Sequence, residues 1–212
     1  MKTIKNRWTG EIIATGRTIK EAAEKNKANL AGANLAGANL EGVNLAEANL
    51  EGAYLMGAYL EGAYLVGANF AGAILAGANF VSANLARANF EGAYLAGANL
   101  ADANFVHAYF GDANLAGANF VHAYLENANL ADANLAGANF AGANLTDAYF
   151  AGANFVRANI AAAAPELLAA CEAAYKQILE AAEMSRETVR DQLSLAVGPL
   201  HKAIAKAKGD GK

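Results

Sequence analysis

A chain of 212 residues with 20 acidic and 16 basic side chains carries a formal net charge of −4, and 55% of its residues are hydrophobic. No apolar run reaches the ~18 residues that a membrane-spanning helix requires, so no membrane partner is expected. Cys171, the single cysteine, cannot close an internal disulfide, and the start MKTIKNRWTGEIIATG is charged and lacks a leader-like apolar stretch, which together point to the cytoplasm.

Residues 1–27 read as an N-terminal cap. The segment IKNRWTGEIIATG has the pattern of a β-hairpin turning at Thr9-Gly10, and a short helix is expected from about Thr18 to Asn26. The segment carries a net charge of +4. Trp8, Ile12 and Ile13 are the apolar residues expected to cover the first turn of the array that follows.

Residues 28–162 repeat every five. Written as Ala-Asn-Leu-x-x, the pattern runs through 27 consecutive units with centres from Leu30 to Ile160. The first position is alanine in 26 units; the second is asparagine in 19, tyrosine in seven and isoleucine at Ile74. The centre is always Leu, Phe or Ile, and the fifth position is glycine in 15 units. On an α-helix a five-residue step winds such centres around the axis, and on a flat strand it sends successive centres to opposite faces. One buried face results only if each unit is a short extended piece followed by a corner. The four residues from one centre to the next alanine, as in Leu30-Ala31-Gly32-Ala33, then form a type II turn, whose third residue needs φ > 0. Asp102, Asp112, Asn127, Asp132 and Asp147 suit that conformation where glycine is missing, whereas Glu47, Ser82, Arg87 and His107 are expected in other turn types.

The array resembles the pentapeptide repeat proteins. That resemblance implies a mainly β fold, a right-handed four-sided β-helix with 20 residues per coil. The residues alone leave the number of sides open. Phe70, Phe80, Phe90, Phe110, Phe120, Phe140 and Phe150 fall at multiples of ten, yet a 15-residue coil also groups the array's phenylalanines four, four and one. A narrow shaft filled with Leu, Phe and Ala has no room for a ligand, so any function is expected on its outside.

From Ala163 the period turns helical. Leu168, Cys171, Tyr175, Ile178 and Ala182 follow 3,4 spacing, and so do Leu193, Val197, Leu200, Ile204 and Ala207 after a break. Residues 163–212 are therefore expected to form C-terminal α-helices, either a helical hairpin capping the last coil or the contact of a homodimer, with a monomer as the alternative. Seven acidic and seven basic residues balance in this region, so it is no nucleic-acid-binding arm.

Candidate chemistry is thin. NFVHAY occurs twice, carrying His107 and His122, but no Cys or third His accompanies them, so no metal site, cofactor or catalytic residue is assigned. Cys171 reads as a small hydrophobe in a helix seam. The expected function is that of a non-enzymatic structural or protein-interaction module with an unknown protein partner and no direct nucleic-acid binding. Tyr54, Tyr94, Tyr109 and Tyr149, at the outward second position, are the candidate partner surface. The resemblance implies one alternative, a DNA-mimicking protein that binds DNA gyrase and protects it from quinolones. Ten acidic residues against Arg87 and Arg157 give the array a charge of −8. Over a shaft of roughly 32 Å that is one acid per ~3 Å, sparser than the one charge per ~1.7 Å of duplex DNA.

Overall fold

The computed structural model describes residues 1–160. The helices expected over 163–212, with Cys171, lie outside the described residues. The fold is mainly β. Strands β1 (Lys2–Asn6) and β2 (Ile12–Gly16) form an antiparallel hairpin, followed by helix α1 (Ile19–Lys25), a 3-10 turn (Lys27–Asn29) and the two-residue strand β3 (Ala33–Asn34). The rest of the array is a β-solenoid built from single parallel bridges between residues 20 apart, such as Tyr54 to Ile74 to Tyr94 to Asn114.

One unit shows why the chain winds this way. In Ala93–Gly97, the Tyr94 N–H donates to Ala73 C=O of the preceding coil at 2.9 Å. Leu95 and Gly97 N–H donate to Asn114 and Ala116 C=O of the following coil at 2.7 and 2.9 Å, and Ala98 N–H closes the turn onto Leu95 C=O at 3.0 Å. That leaves the fourth N–H, and asparagine serves it: Ala116 N–H donates to Asn114 Oδ1 at 3.1 Å. Every N–H of a mid-shaft asparagine-bearing unit such as Ala113–Gly117 thus has a partner, as a buried backbone requires.

A coil therefore holds 20 residues, or four units. The phenylalanines that left the period open in the sequence now settle it. Phe70, Phe90 and Phe110 stack face to face at 4.9 and 4.8 Å, one coil apart each time. Phe120 and Phe140 do the same at 4.8 Å. The centres and the alanines two places before them fill the interior, and mid-shaft both are fully buried.

At each corner the turn is type II, with φ > 0 at its third residue, +66° at Gly97. The expectation of other turns at four positions does not hold. Glu47, Ser82, Arg87 and His107 lie at φ 59°, 57°, 60° and 58°, the same conformation as the glycines. The neighbouring coil imposes it: Arg87 N–H must reach Val106 C=O (2.9 Å) and His107 N–H must reach Glu126 C=O (3.0 Å). Tertiary hydrogen bonding overrides the local preference of the side chain.

The N-terminal hairpin and helix stand in for a missing coil. β1 pairs antiparallel with β3, Lys5 opposite Asn34 and Asn6 opposite Ala33. Where β1 does not reach, Glu24 accepts from Asn44 N–H (3.0 Å) and Lys27 C=O accepts from Asn49 N–H (2.9 Å). Ile4, Ala14, Ala22 and Ala23 are the buried apolar side chains of this lid, and Ile13 and Ile19 pack partly buried beside them. α1 lies so close to β2 that a Cβ on Gly16 would sit 2.7 Å from Ala22 N. Of the three residues expected to cover the first coil, Trp8 lies over its outer corner and Ile12 is exposed, so neither closes the core. Trp8 is 65% exposed and Ile12 is 59% exposed. Small residues close this end because the helix backbone itself approaches the first coil. Trp8 belongs to the hairpin turn, whose Trp8 and Thr9 N–H groups both donate to Asn6 Oδ1, and so it hangs outside.

Candidate protein-interaction surface

The 20-residue coil sorts the outward residues into four ladders of second positions, separated by four columns of corners. Tyr54, Ile74 and Tyr94 are consecutive in one ladder, and Tyr109, Asn129 and Tyr149 are consecutive in another. The four tyrosines singled out in the sequence therefore divide into two pairs on different ladders, two coils apart within each pair. Tyr59 follows Asn39 and Tyr64 follows Asn44 in the remaining two, with Tyr124 further along the Tyr64 ladder.

The corners differ sharply. Between the Tyr54 and Tyr59 ladders the fifth residues are Gly37, Gly57, Gly77, Gly97, Gly117 and Gly137 in unbroken succession. Between the Tyr64 and Tyr109 ladders the corresponding column runs Glu47, Gly67, Arg87, His107, Asn127, Asp147. A third column contains Ser82, Asp102 and His122, and the fourth contains Asp112 and Asp132. His107 and His122 are thus on different corners, because the two NFVHAY copies are 15 residues apart rather than 20. Among the described residues no three His, Cys, Asp or Glu side chains gather where they could hold one ion.

Three corner side chains, those of Glu47, His122 and Asp132, lie along the shaft over the corner of the following coil. A Cβ on Gly67 would collide with the Glu47 carboxylate, one on Gly142 with the His122 ring, and one on Gly152 with Asp132. At the N-terminal end the Trp8 ring occupies the same kind of space over Gly32 and Gly52. Arg7 holds it there, with its guanidinium 4.9 Å from the Trp8 ring and 5.4 Å from the Tyr54 ring, and Nη1 donating to Gly52 C=O at 3.2 Å. Cation–π contacts of this kind contribute about 0.5–1 kcal/mol at exposed sites. Nothing in the sequence pattern signals that clasp. The corner columns, by contrast, can be written out from the sequence once the 20-residue coil is known.

The array matches the family described as "Pentapeptide repeat region" over residues 83–164. It also matches "Pentapeptide repeats (8 copies)" over residues 26–62, 53–92 and 63–100. Solved structures with similarity include the pentapeptide repeat protein Rfr23 of the cyanobacterium Cyanothece, at 33% identity over 45% of this chain and 63% of that one, with a TM-score of 0.40. The match thus spans less than two-thirds of Rfr23. HetL of the cyanobacterium Nostoc, a pentapeptide repeat protein involved in heterocyst differentiation regulation, is 33% identical over 60% of this chain and 70% of its own, with a TM-score of 0.28. QnrB1, a plasmid-mediated fluoroquinolone resistance protein, is 16% identical over 56% of this chain and 72% of its own, with a TM-score of 0.34. No curated protein matches the chain.

Proposed function

The chain belongs to the pentapeptide repeat family, and from that premise we propose that it is a right-handed, four-sided β-helix serving as a non-enzymatic module that holds a protein partner along its His107 corner. The observation that carries this reading is where the chain accepts backbone strain. A non-glycine residue at φ near +60° costs about 1 kcal/mol or more, least for Asn and Asp, and such residues concentrate at functional sites. Of the 11 non-glycine residues in that conformation, five fall on this one corner: Glu47, Arg87, His107, Asn127 and Asp147. Glycine would fit each of these positions without strain.

The surroundings suit a protein surface. Tyr109 and Tyr149 flank the corner on one side, Tyr64 and Tyr124 on the other, and Glu126 precedes Asn127. Aromatic rings beside charges of both signs are the composition of a protein contact. The acid placement weighs against the gyrase-binding alternative. The ten acids divide three, three and four among three corners, and the ladders between them are asparagine and tyrosine. No face carries the dense single-sign charge of a duplex.

The test is capture from the source cell with the full chain, followed by quantitative mass spectrometry. A stoichiometric partner retained by the wild type and lost in Arg87→Ala/Tyr109→Ala is the expected result. A partner that ignores this pair, or sub-micromolar protection of gyrase by the protein, overturns the assignment.

A further inference from the structure

The corner diagonally opposite His107 has the reverse character, and we infer that it is the edge along which two copies of this chain lie side by side. From Gly37 to Gly137 its six fifth-position residues are all glycine. The residues before them are Ala36, Met56, Ala76, Ala96, Ala116 and Ala136. The flanking ladders over these coils hold only Asn, Tyr and Ile. This part of the array edge therefore has no charged side chain, while all ten array acids lie on the other three corners.

That distribution selects the occupant. The array carries −8, so a second copy approaching any other corner brings carboxylates against carboxylates. Along the Gly97 corner two such shafts touch with no carboxylate at the contact itself, and only the longer-range repulsion between the two acidic bodies remains. The edge is also apolar where it is open: Met56 is 46% exposed, Tyr59 51% and Tyr94 44%, with Ile74 half-buried between Tyr54 and Tyr94. Among the described residues nothing stands within 4 Å of a Cβ at Gly37, Gly57, Gly77, Gly97 or Gly117, so the glycines leave the backbone bare rather than making way for one of those residues. Bare backbone lets two shafts approach closely. An antiparallel two-fold pairing is self-complementary, with the coil of Gly57 facing that of Gly117 and Gly77 facing Gly97.

Five coil spacings make the edge roughly 24 Å long, and two three-residue ladders make it roughly 20 Å wide, so each copy buries about 480 Å². A total of about 960 Å² is at the low end of specific interfaces, which makes the pair weak and concentration-dependent. Salt screens the repulsion between the two acidic bodies and leaves the apolar contact intact, so the association tightens from about 20 mM to about 0.5 M salt. None of this depends on whether the His107 corner has a partner.

The experiment is sedimentation equilibrium of the full chain at tens to hundreds of micromolar, comparing two isocharged variants. Gly77→Asp/Gly97→Asp places two aspartates on the proposed edge. Gly72→Asp/Gly92→Asp places two on another corner, where a Cβ likewise meets nothing within 4 Å. Asp102, Asp112, Asp132 and Asp147 already hold this conformation, so the backbone accepts both pairs. Ala76→Glu/Ala96→Glu, at the adjacent ordinary-φ position, repeats the edge test without a left-handed residue. The wild type is expected to equilibrate between monomer and dimer, both edge variants to dissociate at least tenfold more readily, and the Gly72/Gly92 variant to behave as wild type. A wild type that stays monomeric throughout, equal weakening by both corners, or a dimer that survives the edge variants overturns the inference. The last result would move the contact to another surface, such as residues 163–212.

Discussion

Asn119 shows why asparagine recurs at the second position. Its Oδ1 accepts from Val121 N–H at 3.2 Å, and its Nδ2 donates to Asn99 Oδ1 of the preceding coil at 3.0 Å. Aspartate could accept the first bond but cannot donate the second, and it would set a charged oxygen against Asn99 Oδ1. Asn119→Asp is therefore expected to lower stability by about 1–3 kcal/mol, the cost of unpairing a partly buried polar group. For scale, Leu95→Ala should cost about 2–5 kcal/mol, since Leu95 is fully buried and the packed shaft cannot collapse around the loss. Ala96→Ser, half-exposed at the corner, should stay within about 0.5 kcal/mol. Urea midpoints of the three variants give the ranking, and an Ala96→Ser as damaging as Leu95→Ala would overturn the inside–outside assignment. The frequency of asparagine was plain in the sequence. Its reason was not, because the bond to Asn99 exists only once residues 20 apart are neighbours.

At the scale of elements, the cap was legible wherever its signal was local. Thr18 and Glu21 have the spacing of a helix start; Thr18 Oγ1 accepts Glu21 N–H at 3.0 Å, and the Glu21 carboxylate accepts Arg17 N–H at 2.8 Å. Gly10, at φ +73°, turns the hairpin where Thr9-Gly10 was expected to. The side chains that close the core were not legible. Bulk and hydrophobicity pointed to Trp8 and Ile12, but the distance of closest approach decided for Ala22 and Ala23. The Glu21 carboxylate also makes the cap sensitive to pH. Its bond from Lys25 Nζ at 2.7 Å, then that from Arg17 N–H, lowers its pKa from 4.5 to about 2. A folded-state pKa below the unfolded one means that the contribution is fully present above about 4.5 and is lost as pH falls toward 2. Glu21→Gln should thus melt below wild type at neutral pH, with the gap closing on acidification to about pH 2. A gap that is constant from pH 7 to pH 2 would show that the carboxylate charge contributes nothing.

At the scale of the whole molecule, the coil is the unit of both stability and surface. Core stacks and backbone bonds run only to the coils before and after, so stability is close to a sum over adjacent coils. The inward positions could be read from a five-residue count, because every unit buries its centre whatever the number of sides. The contrast between the Gly97 and His107 corners could not be, since it appears only when fifth residues are sorted by twenty. Two length changes separate these levels. Deleting residues 78–97 removes one whole coil and leaves every later residue on its own ladder, so the shortened chain should still unfold cooperatively. With one coil gone from an array of 27 units, its urea m-value should fall by roughly 15%, in proportion to the surface no longer buried. Inserting a single residue after Gly97 adds length but turns each following centre out of the core and each following corner off its column. That variant should lose far more stability than the deletion, despite keeping every original residue. Equal midpoints for the two would mean that the coils do not hold one another in register, and the corner columns would lose their meaning as surfaces.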